Sequence, residues 1–155
     1  MKATRIAAVL ATAGFALVVA STVAAQLKSP DDVKTGLRLL VQVSNDFKRQ
    51  ITAKNFARIP HEYMEYTEAA DALRSAIKDD PADFKAKVET RLKAAVTAFQ
   101  KVSDMSANTP DADMLMAEQD KAVTAMNAVF DLFPADFRPD PNAQPGRRGG
   151  GTPRT

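Results

Sequence analysis

Between residues 30 and 139 the apolar residues of this chain recur at steps of three and four. One run is Val33, Leu37, Leu40, Val41 and Phe47, and a second is Phe56, Ile59, Tyr63, Tyr66, Ala70, Leu73 and Ile77. A third is Phe84, Val88, Leu92, Val96, Phe99 and Val102, and a fourth is Leu115, Met116, Val123, Met126, Phe130 and Phe133. A helix turns once in about 3.6 residues, so these steps gather each run on one face, whereas a half-buried strand would alternate with period two. No segment alternates in that way. Four amphipathic helices joined by short links must cover one another's apolar stripes, which predicts an all-α, up-down-up-down (antiparallel) four-helix bundle.

Helix starts are marked by a repeated device. Ser29-Pro30, Asp80-Pro81 and Thr109-Pro110 each set a capping side chain before proline, with aspartates close behind. The cap oxygen can accept from free N–H groups of the first turn, where proline forfeits a donor that has no helical partner anyway. Asn55 is a softer start, because Pro60 then falls near the end of the first turn; a start nearer Ile59 avoids that conflict. The helices are expected at about 30–50, 55–78, 81–105 and 110–133 within one domain, 26–139. The link after Lys48 contains neither Gly nor Pro, and Gly36 stands alone inside the first helix.

Both ends differ from this body. Lys2 and Arg5 precede an uncharged apolar run from Ile6 to Ala20, and Ser21-Thr22-Val23-Ala24-Ala25 supplies small residues before Gln26. That order describes a secretory signal peptide at 1–25, and the run is short of the ~20 apolar residues of a membrane anchor. The expectation is an exported chain, periplasmic or secreted, with no membrane span after cleavage. Without Lys2 and Arg5 the 21 basic residues fall to the number of the 19 acidic ones. A neutral mature chain with a small basic tail carries no nucleic-acid footprint. Residues 140–155, rich in Pro, Gly and Arg, are expected to be disordered.

Composition removes most catalytic chemistry. With no cysteine there are no disulfides, thiolate zinc sites, iron–sulfur clusters or thioether-linked haem, and one histidine, His61, excludes a histidine cage. No glycine-rich phosphate loop occurs. The chain is expected not to be an enzyme. His61 and Met64, three apart on one helix face, are candidate copper ligands, with further thioethers at Met105, Met114 and Met116. Methionine at helical spacing more often fills core gaps. Glu62, Glu65, Glu68 and Asp71 also follow a three-residue step, but Glu-x-x-His is absent. They are read as a solvated face, with no metal expected.

The segment Phe130-Asp131-Leu132-Phe133-Pro134-Ala135-Asp136-Phe137-Arg138 resembles the end of the cytochrome c-prime family. In that family C-x-x-C-H is often followed by two residues and Phe-Arg. Matching Phe137-Arg138 puts Phe130 and Phe133 at the two cysteine positions and Pro134 at the axial histidine. A weaker likeness lies in Asn55–Pro60 and in Ala69-Ala70-Asp71-Ala72-Leu73. The resemblance implies an exported four-helix bundle, while both thioether-forming residues and the iron ligand are missing. The two phenylalanines are expected to fill the space of the macrocycle. The similar b-type bundle cytochromes hold haem between a helix 1 methionine and a helix 4 histidine, and neither stands there in this chain. Met126 and His61 are the remaining haem candidates.

These readings converge on an exported, non-catalytic protein with a binding or interaction role in the cell envelope, with no cofactor expected. Two alternatives are carried forward. One is a bundle cytochrome binding haem non-covalently for electron transfer or gas binding; the other is a periplasmic copper-binding or chaperone-like protein. The partner is open, and the resemblance allows a homodimer.

Overall fold

The computed structural model describes residues 27–108 and 110–139. The expected signal peptide, the expected disordered tail and Thr109 lie outside the described residues. Four helices carry the fold: α1 (Pro30–Thr52), α2 (Ile59–Ala76), α3 (Ala82–Asn108) and α4 (Ala112–Phe130). Short 3-10 turns, Phe56–Arg58 and Ala135–Phe137, precede α2 and follow α4, and no strand occurs among the described residues. Each helix packs on the next in sequence, and α4 returns to α1, most sparsely of the four seams.

The stripes explain the core. Every apolar residue of the four runs is buried or half-buried. At the centre, Phe99 of α3 stacks against Tyr66 of α2 at 4.0 Å and Phe47 of α1 at 5.0 Å, so three helices share one aromatic cluster. Offset or tilted rings at such distances add about 0.5–1.5 kcal/mol per pair beyond the area they bury. Burial pushes the Tyr66 hydroxyl far above the ordinary phenol range. Gly36 lets α1 approach α2 closely: a Cβ there would lie 3.1 Å from the Leu73 Cα.

The helix starts fall near their punctuation, but the caps are not those expected. Ser29 occupies the N-cap of α1 without a side-chain bond. The Asp80 carboxylate turns away from α3 and accepts from the Lys28 backbone N–H at 2.9 Å, tying the segment before α1 to the α2–α3 link. The cap of α4 is Asp111, whose carboxylate accepts from Met114 N at 2.8 Å. An aspartate one residue past the proline can serve as the cap, and at α4 it does. At α2 the helix begins at Ile59, with Pro60 in its first turn where the missing donor costs nothing.

The link after α1 closes the helix without glycine. Lys54 takes φ 55°, in the left-handed region. Asn55 N donates to Gln50 O and Lys54 N to Ile51 O, the paired bonds of a Schellman closure. A β-carbon in that conformation costs roughly 1 kcal/mol, and the two closing bonds hold it in place. Beyond α4, Phe137 is buried and its ring receives the Lys34 ammonium at 4.6 Å, which seats the last turn on α1.

Candidate functional site

Two places gather polar groups that the helical stripes do not account for. The first lies on the sparsely packed α1–α4 seam, where a cleft of about 590 Å³ opens. Val41, Val123, Met126 and Phe130 give it apolar walls, and Ser44 and Gln119 sit between them. Gln119 is 1% exposed. Its Nε2 donates to Ser44 O at 2.9 Å and approaches Ser44 Oγ at 3.3 Å. A carbonyl only accepts, so the Ser44 bond fixes which end of the amide is nitrogen. That leaves Gln119 Oε1 buried and without a hydrogen-bond partner. Lys48, Asp120 and Arg138 also line the cleft, and Arg138 is held to Asp131 at 2.7 Å.

The second place joins α1 to α2. Asp46, Glu62 and Glu65 each bring a carboxylate oxygen within 4.8 Å of the others. Glu62 departs from the solvated face expected of it: it is 3% exposed. The reason is register, because a three-residue step turns only 300° per position and drifts around the helix. The run thus starts under α1 at Glu62 and ends exposed at Glu68 and Asp71. Each acid already has a partner. Asp46 pairs with Arg49 at 2.7 Å, Glu62 receives Gln50 and Arg58, and Glu65 meets His61 Nε2 at 2.9 Å. Burial raises the Asp46 carboxyl above the usual carboxylate range, the nearby Glu62 adds to that, and Arg49 opposes it. With two guanidiniums inserted, the cluster is a cross-helix polar network; a hard cation would have to displace them.

The sequence-derived candidates separate in space. His61 is exposed and bound to Glu65, and Met64, three residues on, is 59% exposed. Met105 and Met116 are half-buried against the core and Met114 is exposed. Phe133 is 3% exposed and packs edge-to-face on Phe84 at 5.5 Å, while Phe130 and Pro134 are buried. Met126 and Phe130 line the α1–α4 cleft, and His61 does not.

Sequence reasoning missed Gln119, Ser44 and Asp46. Gln119 stands next to Glu118 in a polar stretch, Glu118-Gln119-Asp120, whose composition reads as surface. Its position was nevertheless readable: Gln119 lies four after Leu115 and seven before Met126, on the apolar stripe. Among the described residues no helix is long and apolar enough to cross a membrane. Comparison of the chain with family models, with curated proteins and with solved structures finds no match.

Proposed function

We propose that this chain is an exported, non-catalytic binding protein of the cell envelope, an up-down-up-down four-helix bundle similar to cytochrome c-prime with the covalent haem site lost. Links of a few residues between helices of 18–27 residues favour antiparallel neighbours. The observation that carries the reading is the state of the three positions matched to the family's haem motif. Phe130, Phe133 and Pro134 are all buried, and Phe133 is locked on Phe84 as an ordinary core ring. Iron needs an axial base and the porphyrin needs thiols for covalent attachment; phenylalanine and proline supply neither. The residues at this end of α4 therefore do not fit haem of the c type.

One observation favours the non-covalent cytochrome as a second reading: the Met126 thioether lines a cleft whose size suits a small-molecule site. No imidazole joins it there, since His61 lies on α2 beside Glu65. The copper reading has less support, because His61 and Met64 both face solvent and His61 is engaged by a carboxylate.

Purification from an exporting host tests the proposal. Mature protein should begin at Gln26 and show no Soret band, and haemin titration should give no tight one-to-one complex. Full-length chain retained in membranes would overturn the export reading. A tight haemin complex lost on changing Met126 or His61 would overturn the haemless one.

A further inference from the structure

We infer that removal of the signal peptide completes the bundle: the new α-amino group of Gln26 forms an ion pair with the buried Asp80 carboxylate. The inference rests on the cleavage before Gln26 proposed above. Asp80 lies in the α2–α3 link and is 4% exposed. Its Oδ1 accepts from the Lys28 N–H at 2.9 Å, and its Oδ2 is buried with no hydrogen-bond partner. An ionised carboxylate accepts at both oxygens, and leaving one of them buried and unpaired is costly. The charged side chains nearest in sequence do not supply the donor. Lys28, Lys78, Asp79 and Asp83 are exposed, and the Lys85 Nζ donates to Lys78 O at 2.8 Å.

The chain itself brings a donor to this place. Leu27 is buried in the core, so the segment entering α1 is anchored beside the α2–α3 link. The Gln26 nitrogen stands two residues before that of Lys28, at most about 7 Å along the chain. Neighbouring N–H groups converge on one anion when the backbone turns, the arrangement of a backbone nest. In the full-length chain residues 1–25 precede Gln26, whose nitrogen is a neutral peptide N–H, and Oδ2 is unpaired. Cleavage converts the same nitrogen into an ammonium with three donors and a positive charge. A charge-assisted bond is about twice as strong as a neutral one. Stability gained on cleavage favours folding after export over folding before it.

Two chains test this: one begins at Gln26, and the other carries one added glycine before it. The addition keeps the terminal charge and moves it one residue further from Asp80. At about pH 6.5, below the ordinary α-amino value of about 7.7–8.0, both termini are protonated. The chain beginning at Gln26 should then melt about 5 °C or more above the extended one. Pairing raises the α-amino pKa, which NMR titration of the terminus should show directly. A group raised in the folded state lends its full stability below the unfolded value, so the gap should close as pH rises through the raised one. Asp80→Asn keeps an oxygen for the Lys28 N–H and removes the charge, so the two chains carrying it should melt together.

Equal melting of the two chains with Asp80 in place would overturn the inference, as would a gap that persists unchanged at about pH 10. That comparison stands even if Asp80→Asn fails to fold. Exported protein with Gln26 cyclised, its amine closed on the side-chain carbonyl carbon with loss of ammonia, would overturn the inference too. Cleavage at another position would overturn both the inference and the reading beneath it, whereas equal melting defeats the ion pair alone.

Discussion

Gly36→Ala sets two known effects against each other, and the structure decides the sign. Alanine in a helix interior is better than glycine by about 1 kcal/mol, so α1 alone would gain from the change. The new Cβ, however, would stand 3.1 Å from Leu73 Cα, 3.2 Å from its Cβ and 3.3 Å from its N. Two of these are backbone atoms and cannot rotate aside. Relief requires α2 to move as a body, and α2 is held on its other side by Tyr66 stacked on Phe99 at 4.0 Å. Overpacking of this kind costs roughly 1–3 kcal/mol. The expected net effect is a loss of about 1 kcal/mol, a fall in Tm of roughly 4 °C. Thermal melts followed by circular dichroism measure it directly. Leu73→Ala keeps the offending Cα, N and Cβ, so in the double variant it should not rescue the loss caused by Gly36→Ala. A Gly36→Ala protein melting at or above wild type, or rescued by Leu73→Ala, would refute the argument.

Phe133→Ala should cost about 3–5 kcal/mol in chemical denaturation, as large core truncations do, because the ring is buried against Phe84. Lys54→Gly should stabilise by about 0.5–1 kcal/mol, since φ 55° is free of strain only for glycine; an unchanged denaturation midpoint would count against the strain. Glu118 lies between Lys101 at 2.8 Å and Lys121 at 2.9 Å, and their hydrogen bonds hold its carboxyl below the usual value. A depressed acid lends stability above its unfolded pKa and loses it as pH falls, so Glu118→Gln should melt lower at neutral pH and converge on wild type in acid. Asp46 has the opposite sign, being raised by burial: its ionised form opposes folding as pH rises past the ordinary aspartate value. Asp46→Asn should therefore raise Tm at neutral pH, with a gap that closes as pH falls through the window between the ordinary and the raised value.

The number and faces of the helices were legible because apolar periodicity is a local signal. Each stripe reports its own buried side without knowledge of what covers it, and residues such as Leu37, Tyr66, Leu92 and Met126 are buried where the spacing puts them. Cap identity was less legible, because several short polar side chains stand close enough to compete for the same N–H groups. Asp80 shows the limit: it has the sequence position of a cap, and a residue 52 positions away takes its oxygen instead. The closure of α1 was unmarked for a different reason, since Lys54 occupies a conformation that sequence reading assigns to glycine or asparagine. Gly36 was visible as an isolated glycine, but its purpose depends on Leu73 of another helix.

The polar sites were hidden for one shared physical reason: each is made by residues from two helices whose rotation relative to each other no local pattern encodes. Glu62 reads as one more acid in a solvated run until α1 places Asp46 and Gln50 over it. Gln119 reads as surface in a charged triplet until Ser44 of α1 takes its amide, 75 residues away in sequence. Periodicity alone would have put Gln119 on the buried face, and composition alone would have put it outside. When these two signals conflict at a single amide, a partner on another helix offsets the cost of burial. Ser44 satisfies one end of that amide, and the other end stays buried without a partner.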